Sequence, residues 1–191
     1  MRFDFKIDDN VSLRLLHQQD AAALFALIDE NRAYLRKWMG WVDKTLQVSD
    51  TEAAIQRALD RLAANNGFTL AICYQNQLVG HIGYLPNLSW KDRQVEIGYW
   101  LAEAHQGRGI ITRACRALID HAFLEWDMNR IEMRCAVGNL KSRAIPERLG
   151  FKLEGILRES IDINGTLHDF AVYALLAREW EIISRTHETG R

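Results

Sequence analysis

The chain has 191 residues, of which 48% are hydrophobic and 26% charged, as in an ordinary globular protein with enough chain to bury a core. The formal net charge of −1 provides no overall positive field, so direct binding to nucleic acid or to an anionic membrane is not expected. No run of signal-peptide or membrane-span length occurs, and the three cysteines have neither disulfide-framework nor metal-site spacing, so we expect a cytoplasmic protein without a metal.

The first third of the chain predicts one strand and two helices. Residues 11–16 alternate in polarity, which is typical of a strand. Residues 21–38 have helical periodicity, with Asp20 as a candidate N-cap. Ser49 stands three residues before Glu52, the spacing of a capping box, so a second helix is expected to begin there.

The remaining chain predicts a mixed sheet. Strands are expected at residues 68–74, 78–85, 94–101, 130–137, 151–159 and near 169–176, with helices after Gly109 and at 142–150 and a hairpin at Asn164-Gly165. This order predicts an α/β (mixed α+β) fold: a twisted central sheet of about six to seven strands with helices on both faces and a right-handed parallel β–α–β crossover. We expect a single domain over residues 1–191, with a core of about 9–180 and a polar tail at 181–191.

A bare turn before an amphipathic helix is the most specific local feature. In HQGRGIIT, residues 105–112, Gly107 and Gly109 flank Arg108, and the apolar residues that follow form one helical stripe. Glycines let the backbone approach a ligand, and the first N–H groups of a helix lack internal partners, so the arrangement favours a phosphate group, with Arg108 and Arg113 adding charge. The stretch matches neither the GK[ST] loop nor the three-glycine dinucleotide fingerprint, and a purely structural turn is the alternative.

The segments EIGYWL, HQGRGIIT, NLKS and ERLGF, at these separations, resemble the GNAT superfamily of acetyl-CoA-dependent N-acetyltransferases over nearly the whole chain. YLRKWMGWVD, residues 34–43, narrows the resemblance to the branch with the RimJ and RimL enzymes, which acetylate ribosomal-protein N-termini. The family loop ends in Gly or Ala where this chain has Ile111, which we interpret as variation within the branch. The resemblance implies that coenzyme A is bound by Tyr99, Trp100, Leu101, Gln106, Gly107, Arg108, Gly109, Ile110, Ile111, Thr112, Asn139 and Ser142.

Transfer of an acetyl group from a thioester to an amine needs a base for the amine and a proton for the thiolate. Glu96 is the candidate base, because a carboxylate in mid-strand is costly unless it is used or paired; pairing with an arginine is the alternative. Many relatives protonate the thiolate with a tyrosine, but that position is Pro146 here. The resemblance implies that Ser142 acts as the acid or as a donor to the sulfur, and a helix N-cap is its alternative role.

The acceptor is the least determined part of the prediction. Trp38 and Trp41 are expected to line the acceptor groove, with core packing as the alternative. We expect the acceptor to be a protein N-terminus, since Asp43, Asp50 and Glu52 do not form the dense acidic cluster that a small polycation requires. A polyamine or aminoglycoside acceptor, or a non-catalytic acyl-CoA-binding module, are the other interpretations. The resemblance also implies a homodimer.

Overall fold

The computed structural model of the protein describes residues 3–86 and 88–188. In these residues eight strands form one mixed sheet in the order β1-β2-β3-β4-β5-β6-β8-β7. The strands are β1 Phe5–Lys6, β2 Val11–Leu15, β3 Phe68–Tyr74, β4 Gln77–Tyr84, β5 Gln94–Leu101, β6 Arg130–Ala136, β7 Lys152–Ile163 and β8 Thr166–Leu176. The helices are α1 Ala21–Glu30, α2 Arg32–Leu35, α3 Val48–Ala63, α4 Ile110–Asp120, α5 Leu140–Arg148 and α6 Ala177–Glu188.

Helices cover both faces of the sheet, which confirms the predicted fold class. Because side chains alternate along a strand, Val95 and Ile97 of β5 join the core cluster that contains the apolar stripe of α4, whereas Trp100 joins a second cluster with α1 and α3. The predicted strand count is too low by one. The additional strand, β1, has only two residues, too few to give an alternating pattern.

The sheet opens between its two central parallel strands. β5 pairs with β6 only from Gln94↔Arg130 to Glu96↔Glu132, although β5 continues to Leu101 and β6 to Ala136. Beyond Glu96 the backbone edge of β5 that faces β6 no longer pairs with that strand, so its N–H and C=O groups are available to a ligand. The parallel β5–α4–β6 unit that the sequence predicts is confirmed.

Several element boundaries differ from the predictions. The long first helix breaks at Asn31 into α1 and α2. Ser49 is not the N-cap of α3, which is Gln47, because the Asp50 carboxylate accepts the N–H groups of Leu46 and Gln47. Helix α6 continues to Glu188, so it covers much of the predicted polar tail; residues 189–191 lie outside the described residues. The assignment of the whole chain to one domain stays a prediction.

Candidate active site

A cavity of about 880 Å³ lies at the open end of the gap between β5 and β6. It is bounded by the chain around α2, the end of β5, the loop and first turn of α4, and one side of α5. Its lining residues are Tyr34, Leu35, Trp38, Met39, Tyr99, Trp100, Leu101, Glu103, His105, Gln106, Gly107, Gly109, Ile110, Ile111, Thr112, Arg113, Asn139, Lys141, Ser142, Ala144, Ile145 and Arg148. Most of the residues predicted to bind coenzyme A therefore share one cavity.

The glycine turn sets the entrance to α4. Gly107 and Gly109 have φ of 74° and 67°, in the left-handed region that favours glycine. Gly109 is the N-cap residue of α4, and no side chain caps the helix there. The first-turn N–H groups of α4 are thus open to an anion at the positive end of the helix dipole.

The two loop arginines make contacts that the sequence alone does not indicate. Arg108 does not line the cavity, because its guanidinium lies over the ring of Tyr74, 5.5 Å from the centroid. Arg113 lines the cavity, but its Nε lies 2.9 Å from an Asp8 carboxylate oxygen and its Nη1 donates to the carbonyl of Arg108. Arg113 therefore holds the loop to the N-terminal segment.

Helix α5 contributes two cations that the sequence analysis missed. Lys141 Nζ donates to Gln106 Oε1 over 2.9 Å, and Arg148 Nη1 donates to Thr112 Oγ1 over 3.0 Å. Both face the loop and the first turn of α4, so they add positive charge where a diphosphate would lie. These two residues are seven positions apart, or two helical turns, and this spacing could have indicated from the sequence that they share one face of the helix.

A hydrogen-bonded pair formed by Tyr99 and Ser142 lies in the cavity wall. Ser142 is not the N-cap of α5; that residue is Asn139, whose side-chain oxygen accepts the Ser142 N–H. Pro146 has no N–H to donate to the Ser142 carbonyl one turn earlier. The Tyr99 phenol donates to that carbonyl instead, over 3.2 Å, and also lies 3.2 Å from Ser142 Oγ.

Burial keeps the groups around Ser142 neutral. It raises the pKa of the Tyr99 phenol well above the usual value, so the phenol retains its proton. Burial also raises the pKa of the Cys135 thiol, which lies beside Ser142, to about 11. A thiol with that pKa is a poor nucleophile at neutral pH, which disfavours an acyl-cysteine intermediate.

Glu96 lies at the point where the gap begins. Its side chain is buried, with 8% of the residue exposed, and it faces Arg134, whose Nε is 3.7 Å from Glu96 Oε2. Glu96 does not line the cavity. By strand alternation it points to the same face of the sheet as Trp100, opposite to Tyr99. The arginine contact matches the alternative interpretation of this residue, and the catalytic role stays a prediction.

The two tryptophans of the loop after α2 do not line the same cavity. Trp38 lines the cavity, and its ring packs against Gly138. Trp41 lies outside this cavity, 38% exposed, with its ring 6.3 Å from that of Trp100. The loop also contacts the β7–β8 hairpin, where Asn164 Nδ2 donates to the Arg36 carbonyl over 2.9 Å.

Two kinds of feature are absent from the described part of the chain. Within residues 3–86 and 88–188, no group of three or more His, Cys, Asp or Glu side chains could hold a metal ion. No helix in that part is long and apolar enough to cross a membrane.

Comparison with known proteins identifies the family. Residues 10–152 match the acetyltransferase (GNAT) domain. The chain is 42% identical over 181 residues to the Bacillus subtilis (strain 168) protein named "Putative ribosomal N-acetyltransferase YdaF", covering 94% of this chain and 98% of that one. It is 29% identical over 169 residues to the ribosomal-protein-serine acetyltransferase of Escherichia coli (strain K12), covering 88% and 94%.

Solved structures agree with this assignment. RimL, the ribosomal L7/L12 α-N-protein acetyltransferase, in complex with coenzyme A has a TM-score of 0.87 at 26% identity, covering 91% of this chain and 97% of that one. The microcin C7 self-immunity acetyltransferase MccE, in complex with acetyl-CoA and AMP, has a TM-score of 0.87 at 28% identity, covering 92% and 97%. The chain belongs to the GNAT family and is an acetyl-CoA-dependent N-acetyltransferase.

Proposed function

We propose that the protein acetylates the N-terminal α-amine of a protein and that its acetyl-CoA binds in the cavity between β5, α4 and α5. The observation that carries this proposal is the cavity itself. It joins an uncapped helix N-terminus on one side to a tryptophan-bearing loop on the other, at the gap between β5 and β6. The ribosomal-protein acceptors in the names of YdaF and the Escherichia coli relative support the acceptor class.

Charge and backbone geometry support the proposed binding mode of acetyl-CoA, the acetyl donor. The amides from Gln106 to Thr112 bind the diphosphate, and Lys141 and Arg148 neutralise its charge. The side-chain oxygen of Asn139 already accepts the Ser142 N–H, so its amide nitrogen is the group left to donate to the pantetheine arm. The sequence predicts that Arg108 binds the cofactor, but its stacking over Tyr74 favours a role in shaping the loop.

Acetyl transfer is direct in this proposal. The amine nitrogen bonds to the acetyl carbon, and backbone N–H groups of residues 99–101 polarise the carbonyl oxygen. The carbon–sulfur bond then breaks, and the thiolate takes its proton from the Ser142 hydroxyl. As this happens, the Tyr99 phenol turns its one proton from the Ser142 carbonyl to Ser142 Oγ, which stabilises the developing negative charge there and makes the serine hydroxyl a better acid. The serine oxygen regains a proton from water, and the proton that the amine loses passes through Glu96 to solvent, so both groups return to their starting states.

Glu96 accepts the proton that the amine loses. Because its side chain is outside the cavity wall and points to the face opposite α4, we assign the transfer to a bridging water. Arg134 keeps the carboxylate in place. A general base of this kind typically contributes about 10²–10⁴-fold to the rate.

The charges of the cavity wall support a protein α-amine over a polyamine. Of the residues that line the cavity in the described part of the chain, Glu103 is the only acid, whereas Arg113, Lys141 and Arg148 are cations. The wall therefore lacks the several carboxylates that a polycation would need, while its cations are matched by the diphosphate or, for Arg113, by Asp8. A terminal α-amine, with pKa about 8, is also easier to deprotonate than a lysine side chain at about 10.4.

Homodimerisation and a cytoplasmic location belong to the same proposal. The edge strand β7 and its neighbour expose apolar residues, which supports a protein contact there: Leu153, Ile156, Leu157, Ile161 and Leu167. The three cysteines are all buried and free, which supports a reducing compartment. Light scattering at several concentrations should give twice the chain mass, and a monomer at all concentrations would refute the dimer.

The acceptor is tested by mass spectrometry with pairs of peptides of one sequence. One member has a free N-terminus and the other a formylated N-terminus, and both contain one internal lysine; spermidine and an aminoglycoside form separate arms. The proposal predicts one acetyl group on the free α-amine and none on the formylated peptide. Acetylation of the small amines with no peptide product would contradict it.

The base is tested by Glu96→Gln, with Glu103→Gln as the matched control. Glu96→Gln should lower kcat by about 10²-fold or more and remove the acidic limb of the pH–rate profile, since the lost group is the proton acceptor. Glu103→Gln removes a carboxylate from the cavity wall and should leave that limb in place. Equal pH profiles for wild type and Glu96→Gln would exclude Glu96 as the base.

A further inference from the structure

A second cavity, of about 530 Å³, lies on the face of the sheet opposite to α4. It is enclosed by α1, α3, the loop after α2 and strands β3 to β5. Its lining residues are Leu16, Leu24, Ile28, Trp41, Lys44, Thr45, Asp50, Thr51, Ala53, Ala54, Ile55, Arg57, Ala58, Arg61, Thr69, His81 and Trp100. The volume is that of a small-molecule site, and Trp100 is the wall that it shares with the acetyl-CoA cavity.

One side of this cavity is aromatic and apolar. The ring of Trp100 lies 5.4 Å from that of His81 and 6.3 Å from that of Trp41. Buried aliphatic side chains of α1 and α3, including Ile28 and Ile55, complete this side. Such a surface suits a planar or apolar group.

The other side carries two unpaired guanidinium groups. Arg57 and Arg61 are one turn apart on α3, and no carboxylate of the described residues lies within ion-pair distance of either. Arg61 donates to Thr69 Oγ1 over 3.3 Å, a neutral partner. The one acid in the lining, Asp50, is occupied by the backbone N–H groups that it caps. Like charges at this spacing destabilise a helix unless an anion lies between or beside them.

Buried polar atoms without partners concentrate around the same cavity. Within the described part of the chain, six buried side-chain nitrogen or oxygen atoms make no hydrogen bond, although one of them, Arg113 Nε, is in ion-pair contact with Asp8. Three of them belong to residues of this lining: Thr51 Oγ1, Arg61 Nε and Trp100 Nε1. Thr51 and Trp100 are 1% and 3% exposed. Buried polar atoms are normally paired, so these three leave unused hydrogen-bonding capacity in the residues of this lining.

We infer that this cavity is a binding site for a small organic anion. The anionic group pairs with Arg57 and Arg61, and the planar or apolar body packs on Trp41, His81 and Trp100. Carboxylates and phosphate esters share this chemistry. The inference does not depend on which amine the enzyme acetylates.

The protonation states around the cavity agree with an anionic ligand. Burial, and secondarily the charge of Arg61, lower the pKa of His81 to about 4, so His81 is neutral at physiological pH. Burial, and secondarily the charge of Arg57, lower the pKa of Arg61. The positive potential is thus uncompensated within the cavity, and an anion would relieve it.

The test is a titration with phenyl phosphate, benzoate and inorganic phosphate, followed by NMR of the Trp100 indole N–H. Saturating coenzyme A is present throughout, so that the first cavity is already filled. Phenyl phosphate or benzoate should shift the signal saturably, and inorganic phosphate should bind more weakly because it has no planar body. Tighter binding of phenyl phosphate identifies a phosphate ester as the preferred class, and tighter binding of benzoate identifies a carboxylate.

Charge-removing variants make the test specific. Arg57→Gln and Arg61→Gln should each weaken the aromatic anion about tenfold, the value of one charge-assisted hydrogen bond. The exposed Arg158→Gln loses the same charge elsewhere and should leave the dissociation constant unchanged. Arg57 is itself exposed, so its variant tests the site even if Arg61→Gln folds poorly. Absence of saturable binding, or equal dissociation constants in Arg57→Gln and Arg158→Gln, would overturn the inference.

Discussion

Replacing Tyr99 with phenylalanine removes the phenol oxygen, which hydrogen-bonds β5 to the first turn of α5. That phenol is a hydrogen-bond donor to the Ser142 carbonyl, which cannot be served from within the helix because residue 146 is proline. A half-buried carbonyl without a donor costs about 1–3 kcal/mol. We expect Tyr99→Phe to lower the free energy of unfolding in urea by about 1–2 kcal/mol.

A rescue variant separates this structural effect from catalysis. Pro146→Ala supplies the missing N–H to the Ser142 carbonyl, so Tyr99→Phe should cost less stability in the Pro146→Ala background than in wild type. The Pro146→Ala substitution should not restore the kcat that Tyr99→Phe lowers, because the serine hydroxyl would still lack its hydrogen bond from the phenol. Measured at saturating acetyl-CoA by thiol release, Tyr99→Phe should lower kcat about tenfold, the value of roughly one hydrogen bond to a developing charge.

A double-mutant cycle then asks whether Tyr99 acts through Ser142. Ser142→Ala should lower kcat by about 10²-fold or more, because it removes the acid. Adding Tyr99→Phe to Ser142→Ala should cause no further loss. The same tenfold loss in both backgrounds would refute the proposal that the phenol supports the serine hydroxyl.

Three further predictions concern the loop, helix α5 and acid stability. Gly109→Ala should cost about 1–2 kcal/mol of stability and raise the KM for acetyl-CoA, whereas Gly165→Ala, with φ of 84°, should cost similar stability and leave that KM unchanged. Arg148→Gln should raise the KM for acetyl-CoA about tenfold with little change in kcat, and an unchanged KM would remove this residue from the site. The bidentate hydrogen bonds from Arg14 lower the pKa of Asp20 below its usual 3.8. Asp20→Asn should therefore lower the free energy of unfolding by about 1–2 kcal/mol at any pH above 3.8, and this difference from wild type should disappear as the pH falls through the lower pKa that Asp20 has in the folded protein. Urea unfolding from pH 2 to 7 measures the difference.

The fold was predictable where local pattern and topology agree. The alternating pattern predicts strands correctly. The Asn164-Gly165 signal predicts the β7–β8 hairpin, and the amphipathic stripe after Gly109 predicts α4. Helix ends were less predictable, because competing caps differ little in energy: the Asp50 carboxylate displaced Ser49 as the capping group of α3. The break at Asn31 and the two-residue strand β1 depend on tertiary packing and leave little trace in a periodicity.

Site features formed by residues that are neighbours in the sequence were predictable, but contacts between distant segments were not. The glycine turn has its own sequence signature, whereas the pairing of Lys141 with Gln106 joins segments 35 residues apart. The role of the Tyr99 phenol could not be predicted from the sequence. Because Pro146 has no N–H, the Ser142 carbonyl needs another donor, and only the folded structure shows that Tyr99 of β5 lies close enough to α5 to supply it. Trp38 and Trp41 line different cavities in the structure, and the prediction that both line the acceptor groove stays a prediction.

The most direct test of the account is a crystal structure of the protein with coenzyme A bound. The distance to measure runs from the coenzyme sulfur to Ser142 Oγ. The account predicts hydrogen-bond contact, about 3.5 Å, with the diphosphate on the amides that follow Gly109. A sulfur on the far side of β6, or a diphosphate away from the first turn of α4, would contradict it.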